Sequence, residues 1–367
     1  MNFLKGKNIL VISPEGWGVS KLSKHHYAIE LSKSNKVWFL QPAFAKISAS
    51  DIQDASPITL IQDGREIPGI RRLPVFMQKW YFKKRVAQLH KKARVKFDVV
   101  WNFDNSRFYH LDCFSDAFRI HHKMDYHVNY QNELASKSAN LCLGVTSGII
   151  DQMSAYNEHC HFIQHGYVIV PKSDVVLPVT NLKTTAVYVG NLLIRFIHWN
   201  WIHTLVETNP DVQFYFIGSY GEGNMNPFVD VNALADISAL KVKKNVALLG
   251  EKSAIEMAAF CEQADILFAA YDAEKYPEIT ANSHKIMNYI GSGTPVVSNV
   301  FQEYFTNDSL LYMARSLEEF LQIFNRIKTD KLTFYSEELV AQRKHFALKN
   351  SYERQVERID ALIHNIV

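Results

Sequence analysis

The stretch from Asp265 to Ser298 most constrains the fold, because it reads as strand, loop, helix and strand in succession. Residues 266–270 form a short apolar run with the length of a buried parallel strand. A polar loop follows, and then a helical pattern with apolar residues at i, i+3 and i+4 that Gly293 is predicted to end. Residues 295–297 begin the next buried strand. The pattern is typical of an α/β protein with a parallel sheet.

The first turn of the predicted helix contains Ser283, His284 and Lys285. The start of a helix presents amide N–H groups without intrahelical partners and a partial positive charge. An anion such as a phosphate or diphosphate binds well there, and the charge of Lys285 strengthens the attraction. We therefore expect a diphosphate site at this helix start.

Length and composition indicate a folded protein of two domains. The chain has 367 residues, of which 47% are hydrophobic and 21% are charged, and its net charge of +3 does not by itself imply nucleic-acid binding. Its four cysteines are scattered without a CxxC pair, as expected for free thiols in the cytoplasm. No apolar run approaches the roughly 20 residues that span a bilayer, and the N-terminus does not resemble a signal peptide.

Three basic residues of the second half are expected to meet at one sheet edge. Arg195, Lys252 and Lys285 each lie in a loop or helix start that follows a predicted strand. The carboxyl ends of parallel strands gather at the same edge, where α/β sheets bind ligands. The predicted strand ends there are Gly190, Gly218, Gly250 and Tyr271. Three cations converging on one edge indicate an anionic ligand, for which a diphosphate is the natural candidate.

The first half opens with a strand, a glycine-bearing loop and a helix. Gly16 and Gly18 lie in that loop, but the full G-x-G-x-x-G pattern of a dinucleotide site is missing. Two interpretations stay open: the glycines let a ligand approach the backbone, or they form a tight turn and nothing more.

Residues 71–96 contain ten lysines and arginines, no acidic residue and several aromatic residues. A basic helix with aromatics suits the surface of an anionic membrane. An ordinary solvated helix with an apolar core stripe through Phe82, Val86 and Leu89 explains the pattern equally well. RNA binding is a poorer third interpretation, because the chain lacks any other nucleic-acid motif.

A metal site is not predicted. His159, His161 and His165 are close in sequence, but no carboxylate or cysteine group completes a ligand set, so ordinary surface or sheet-edge histidines are favoured. An Asp-x-Asp motif is also missing.

Three segments together resemble one enzyme family. They are AVYVGNLLIRFIHW, NVALLGEKSAIEMAAFCEQADILFAAYD and SHKIMNYIGSGTPVVS. The last is similar to the P-x-K-x-x-E-Y-L-A-x-G-x-P-V-V signature of the large retaining, nucleotide-sugar-dependent group of GT-B glycosyltransferases. The chain looks closest to the branch that builds bacterial surface polysaccharides, similar to teichuronic-acid-type transferases.

The resemblance implies two Rossmann-like parallel-sheet domains that face each other across a cleft. The acceptor-binding domain is expected over residues 1–175 and the nucleotide-sugar-binding domain over 183–349. The last helix, in residues 350–367, is expected to cross back to the N-terminal domain.

The resemblance also implies an activity. The chain is expected to be a hexosyltransferase (EC 2.4) of cell-surface polysaccharide synthesis, retaining and metal-independent. It would move a sugar from a nucleotide-diphosphate donor to a glycan or polyprenyl-linked acceptor. No cofactor and no nucleic-acid partner are expected. The expected location is the cytoplasm, with residues 71–96 as a candidate contact to the inner face of the plasma membrane.

The expected site residues fall into two groups. Arg195 and Lys252 would stabilise the leaving group, and Asp125 and His127 are candidate acceptor contacts, with loop capping an equally good explanation for the last two. The donor-binding candidates are Gly16, Gly18, Gly190, Asn191, Gly218, Glu251, Tyr271, Glu278, Thr280, Ser283, His284, Lys285 and Asn288.

One departure from the family keeps two alternatives open. The family has two glutamates eight residues apart, whereas this chain has Thr280 and Asn288. Glu278 or Glu274 would substitute only by a shift of the loop. The alternatives are a non-catalytic sugar-nucleotide or glycan-binding relative and a nucleotide-sugar epimerase of the same fold.

Overall fold

A computed structural model describes residues 2–18, 21–126, 131–221, 233–305 and 310–367. The chain divides into two compact units. The first contains Met1–Gln164 together with Tyr352–Val367, and the second contains His165–Ser351. Residues 165–175, which the sequence analysis gave to the first domain, therefore lie in the second unit. Among the described helices, none combines the length and the apolar character needed to cross a membrane.

The first unit is built on a seven-stranded sheet in which all neighbouring strands are parallel. The strand order is β3-β2-β1-β4-β5-β6-β7. The strands are β1 (Asn8–Ile12), β2 (Lys36–Gln41), β3 (Thr59–Gln62), β4 (Val99–Asn102), β5 (Phe118–Lys123), β6 (Leu141–Gly144) and β7 (Cys160–Phe162). The central strands are buried on both faces, which explains their nearly continuous apolar sequences.

Helices cover this sheet. They are α1 (Ser23–Ser32), α2 (Ala49–Ala55), α3 (Val75–Ala93), α4 (Gln131–Ser138) and α5 (Ser147–Ser154). The predicted stripe of α3 is confirmed, since Phe82, Val86 and Leu89 are buried in the core of this unit. The last helix of the chain also belongs here: the Leu4 amide donates to Asp360, and the Tyr352 ring stacks on His26.

The second unit has a six-stranded sheet, again with every neighbouring pair parallel. The order is β10-β9-β8-β11-β12-β13. The strands are β8 (Thr184–Val189), β9 (Val212–Ile217), β10 (Val246–Gly250), β11 (Ile266–Ala269), β12 (Val296–Asn299) and β13 (Tyr312–Ala314). The chain enters and leaves this unit at one place, since the Tyr167 amide donates to Asn350 O at 2.8 Å.

The described helices of the second unit are α6 (Trp199–Thr208), α7 (Ala233–Lys241), α8 (Ala254–Gln263), α9 (Pro277–Thr280), α10 (His284–Ser292), α11 (Leu317–Thr329), α12 (Lys331–Phe334) and α13 (Glu337–Lys349). The helix that follows them, α14 (Tyr352–His364), is the last helix of the chain, which belongs to the first unit. The strand–loop–helix–strand prediction for residues 265–298 is confirmed by β11, α10 and β12. Ile286, Tyr289 and Ile290 are buried as predicted, and Gly293 follows the helix with a left-handed φ of 83°.

Candidate functional site

The loops at the carboxyl edge of the second sheet are joined by backbone hydrogen bonds. The Gly190 amide donates to Ile217 O at 2.8 Å, and the Gly218 amide donates to Gly250 O at 2.8 Å. The ends of β8, β9 and β10 therefore form one continuous surface. On its other side, the loop after β8 pairs with the loop after β11, because the Asp272 amide donates to Phe196 O at 2.9 Å.

Two glycines let these loops approach closely. Gly218 has a φ of 138°, and a Cβ placed on it would lie 2.1 Å from Gly190 O. Gly190 has a φ of 151°, and its Cβ would lie 3.2 Å from the Lys285 Nζ. A side chain at either position is excluded by backbone conformation and by contact. The space beside the Lys285 ammonium is thus kept open by glycine.

Helix α10 is held in place near its middle and at its carboxyl end. Near its middle, the Tyr289 hydroxyl accepts from the Val189 amide at 2.5 Å, which ties the helix to the last residue of β8. At its carboxyl end, Arg343 donates to Gly293 O at 2.7 Å, where a cation also complements the helix dipole. The start of the helix is therefore fixed relative to the glycine loops.

Lys285 points from the first turn of α10 into this edge. Its Nζ lies 3.9 Å from the centroid of the Tyr188 ring and 4.5 Å from that of Tyr271. The residue is only 6% exposed. Within the described ranges, no atom makes a hydrogen bond to this ammonium group. Lys285 is therefore a buried cation that no described hydrogen-bond acceptor neutralises, at the place where the sequence predicts a diphosphate.

Burial lowers the pKa of Lys285 well below its ordinary value, and nearby Cys261 opposes the shift only weakly. The electron-rich faces of Tyr188 and Tyr271 attract the ammonium but do not replace its lost hydration. Burial also raises the pKa of Tyr188 and of Tyr271, so both hydroxyls stay protonated. An anion at this position would restore the charge of Lys285 by raising its pKa.

The start of α10 has no side-chain cap of its own. Ser283 is the N-cap residue, with extended backbone, and its side chain makes no capping hydrogen bond. The first amides of a helix have no intrahelical acceptors. A nine-residue helix with an uncapped start and a buried lysine in its first turn provides donors and charge for an anion.

Arg195 lies at the same edge but is exposed. It follows β8, and its guanidinium lies 5.4 Å from the centroid of the Tyr276 ring in the loop after β11. Asn191, in the same loop, accepts the Leu193 amide at 2.9 Å and so shapes the turn. Arg195 is thus an exposed residue at the rim of this edge.

Lys252 and Glu251 follow β10. The Lys252 ammonium lies 4.0 Å from Glu256, and its side chain is about one third exposed. Glu251 accepts a hydrogen bond from Ser219, which links the loops after β9 and β10. The structure places Arg195, Lys252 and Lys285 on one edge, but each contacts a different partner.

The residues that replace the expected glutamate pair differ in environment. Thr280 is buried, and its hydroxyl donates to Tyr276 O at 2.8 Å within α9. Asn288 is exposed on α10, as is Glu278 on α9. The Asn288 side chain is therefore accessible from solvent, whereas the Thr280 hydroxyl is buried and already has an acceptor.

The remaining predicted residues belong to the first unit. A Cβ on Gly16 would lie 2.7 Å from the Ala45 Cβ, so packing against that loop explains this glycine. A Cβ on Gly18 would meet no described atom within 4 Å. Asp125 is exposed after β5. His127 lies outside the described residues.

The sequence analysis missed a buried cation in the first unit. Lys123, at the end of β5, donates to Gln152 Oε1 at 2.8 Å. Burial lowers its pKa to about 8, and neighbouring Asp125 opposes the shift. The sequence signal that could have identified Lys123 is its position at the end of a predicted strand, two residues before Asp125. It was missed because a lysine at a strand end usually marks the solvent-exposed edge.

The histidines considered for a metal site are spread over different surroundings. The His165 ring lies edge-on to His284, with centroids 6.1 Å apart, and burial lowers the pKa of His165 to about 3. His159 lies beside Glu158 at 3.7 Å. In the part of the chain that the structure describes, no three His, Cys, Asp or Glu side chains come together as a metal-binding group.

Comparisons with known proteins identify the fold. No protein-family model matches the chain, and no curated protein matches it significantly in sequence. Solved structures match over nearly the whole chain. HepE of Anabaena, in complex with UDP and glucose, is 15% identical with a TM-score of 0.70, covering 98% of this chain and 99% of its own.

Two further structures agree. The lipopolysaccharide outer core galactosyltransferase WaaB is 14% identical with a TM-score of 0.64, covering 98% of this chain and 100% of its own. The trehalose-6-phosphate synthase OtsA is 9% identical with a TM-score of 0.70, covering 98% and 99%. The two parallel-sheet, Rossmann-like domains of this chain therefore have the GT-B fold, as predicted.

Proposed function

We propose that this chain is a glycosyltransferase that takes a sugar from a nucleotide-diphosphate donor bound at the carboxyl edge of the second sheet. The observation that carries the proposal is Lys285, a buried ammonium without a hydrogen-bond partner in the described structure. It lies at an uncapped helix start beside two glycines that keep the adjacent space open.

Burying an ammonium group without a partner is costly, and structural lysines are rarely left in that state. A diphosphate supplies acceptor oxygens and negative charge, and hydrogen bonds between charged groups are the strong ones. The protein thus keeps a site that is unfavourable when empty and favourable when an anion is bound.

The same groups suit departure of a nucleoside diphosphate. Negative charge grows on the leaving group as the sugar bond breaks, and fixed positive groups stabilise that charge more in the transition state than before it. Lys285 and the first amides of α10 lie at the centre of this arrangement, with Arg195 and Lys252 at its rim. We further propose that this makes catalysis metal-independent and, from the family resemblance, that the anomeric configuration is retained.

The identities of the donor and the acceptor are more specific proposals than glycosyl transfer itself. The structure of HepE contains UDP, so UDP-sugars are the first donors to test. From the family resemblance, we propose a hexose as the transferred sugar and a glycan or polyprenyl-linked acceptor of cell-surface polysaccharide synthesis. Asp125 and His127 are the proposed acceptor contacts, and the inner face of the plasma membrane is the proposed location.

A second function has one observation in its favour. Thr280 stands where the family has a glutamate, and its hydroxyl is committed to Tyr276 O. A sugar-nucleotide-binding protein without transferase activity would keep Lys285 and would not need that carboxylate. Asn288, exposed on α10, would serve either function by hydrogen bonding the donor.

The decisive experiment measures binding and turnover separately. Titration calorimetry with UDP-, GDP- and dTDP-sugars gives affinities, and release of the nucleotide with and without cell-envelope lipid extract gives turnover. We expect one nucleotide series to bind, and Lys285→Ala to weaken that binding about 10- to 100-fold, because a charge-assisted contact is lost. The matched control is Lys244→Ala, an exposed lysine of the same unit.

The outcomes separate the functions. Binding that depends on Lys285 together with nucleotide release supports the transferase. Binding that depends on Lys285 without turnover on any acceptor supports the non-catalytic function. Equal affinity of Lys285→Ala and the wild type removes Lys285 from the site and refutes the proposal.

A further inference from the structure

The segment from Ile67 to Trp80 exposes an unusual amount of apolar surface. Phe76 is 73% exposed and Trp80 61%. Four more large apolar residues of this short segment are also exposed, namely Ile67, Leu73, Val75 and Met77. Single exposed apolar residues need no explanation, but a cluster of six marks an interaction site.

Packing of α3 does not account for these residues. One stripe of the helix, with Phe82, Val86 and Leu89, is buried in the core of the first unit. Phe76 and Trp80 are one helical turn apart and lie on the opposite, solvent-facing side. The first turns of α3 therefore have two apolar faces, and only one of them has a partner in this chain.

The charges around the exposed face are also unbalanced. Lys79 pairs with Asp112 at 2.6 Å, but within the described ranges no acidic group lies within 4.0 Å of Lys83 or Lys84. Arg72 and Lys91 are likewise exposed and without an acidic neighbour in the described structure. The Lys84 ammonium lies 3.6 Å from the centroid of the Trp80 ring. An uncompensated lysine thus lies against the exposed Trp80 ring, and further uncompensated cations occur in the same segment.

This surface lies on the ligand-binding side of the first sheet. Helix α3 runs from the end of β3 to the start of β4, so its first turn lies at the carboxyl edge. Arg71, just before α3, donates to Ser106 O at 2.6 Å in the loop after β4. The basic residues at the far end of the predicted segment are elsewhere: Lys96 pairs with Asp116 near the amino edge.

We propose that residues 67–84 form a membrane-binding surface, with Phe76 and Trp80 entering the headgroup region of an anionic bilayer and Arg72, Lys83 and Lys84 contacting its phosphates. Aromatic side chains favour the interface of a bilayer, and long lysine stems let the charge stay at headgroup level while the stem contacts apolar groups. Several uncompensated cations beside them match an anionic lipid surface. A protein partner is the other occupant that the test addresses.

The proposal does not depend on glycosyl transfer, so its test uses lipid binding alone. The full chain is floated with vesicles of phosphatidylcholine with or without 30% phosphatidylglycerol, at low and high salt. We expect binding to the anionic vesicles that falls at high salt, because exposed charges are screened. Phe76→Ser/Trp80→Ser should weaken binding at least tenfold, and Lys83→Glu/Lys84→Glu about as much.

The control variants make the same kinds of substitution at exposed positions outside residues 67–84. Val179→Ser/Leu332→Ser removes two apolar side chains that are more exposed than Phe76, and Lys5→Glu/Lys244→Glu makes the same change in net charge elsewhere. Both controls should bind vesicles like the wild type. Circular dichroism and the melting temperature verify that every variant is folded.

A second measurement tests whether the Trp80 side chain itself enters the bilayer. Of the six tryptophans, Trp80 is the exposed one, since four are buried and Trp199 is half-buried. Brominated lipid should quench the wild type and leave Trp80→Phe, which keeps an aromatic ring, almost unquenched. The proposal is overturned if the wild type does not float with anionic vesicles, if the controls weaken binding as much as the patch variants, or if Phe76→Ser/Trp80→Ser abolishes only self-association or binding to a protein.

Discussion

At the carboxyl edge of the first sheet two arginines are paired with buried carboxylates, whereas at the carboxyl edge of the second sheet the buried Lys285 contacts aromatic rings instead. In the first unit, Arg85 and Arg107 each donate to Asp63 at 2.6 Å, and Arg107 also reaches Asp104 at 2.5 Å. In the second unit, Lys285 lies against two aromatic faces, and no described carboxylate pairs with it. A paired buried charge fixes loops, whereas an unpaired one is kept for a ligand. The contrast is the reason for treating Asp63 and its two arginines as structural and Lys285 as the proposed ligand contact.

The largest expected effect is at the carboxyl edge of the first sheet, where the arginines are paired with carboxylates. Asp63→Ala would leave Arg85 buried without its carboxylate and Arg107 with only Asp104, so we expect a loss of about 3–5 kcal/mol in the free energy of unfolding. Urea denaturation measures it. Asp112→Ala, which breaks the exposed pair with Lys79, should cost less than about 1 kcal/mol. Equal losses would show that the first edge is not held by its charges.

The next prediction concerns pH. Because burial lowers the pKa of Lys285 in the free protein, the bound diphosphate should raise it, and binding should take up a proton. Affinity then stays constant below the free-state pKa and falls up to about tenfold per pH unit above it, until the bound-state pKa is reached. Calorimetry in buffers of different ionisation enthalpy measures this uptake. Uptake that persists in Lys285→Met would assign the proton to another group.

A smaller effect is expected at the rim. Lys252 is partly exposed and near Glu256, so Lys252→Ala should lower donor affinity less than about threefold. Turnover should fall by about tenfold, because the leaving group gains charge only in the transition state. Steady-state kinetics separate the two. A change in KM alone would indicate that Lys252 only helps to bind the donor.

The smallest expected effect is a gain in stability. With a lowered pKa in the folded state, Lys285 binds fewer protons than in the unfolded chain at every pH between its folded-state pKa and about 10.5. Stability of the wild type therefore rises with pH across that window. Lys285→Met should be more stable than the wild type at pH 7, and the difference should shrink as the pH rises towards about 10.5. A destabilised variant at pH 7 would make Lys285 a structural residue.

Central strands and edge strands were not equally predictable. Strands such as β8, β9 and β11 are buried on both faces, so their apolar runs identified them and the parallel architecture. β3 and β13 are edge strands with mixed sequences, and neither was predicted. Such strands depend on pairing with a neighbour, which local sequence does not report.

The candidate site was predicted in position but not in environment. The place of Lys285 at the start of α10 followed from helix and strand patterns. Its burial did not, because the partner Tyr188 lies about 100 residues away in the chain. The pairing of Asp63 with Arg85 and Arg107 was missed for the same reason. Long-range contacts decide which charges are compensated, and they follow from the fold rather than from spacing in the sequence.

The return of α14 to the first unit has a consequence for biosynthesis. The second unit, His165–Ser351, is translated between the two parts of the first. Tyr352 packs on Tyr27 and His26, residues that leave the ribosome long before it. The unit that is synthesised first is therefore completed last, and until α14 emerges its uncovered aromatic surface is available to chaperones.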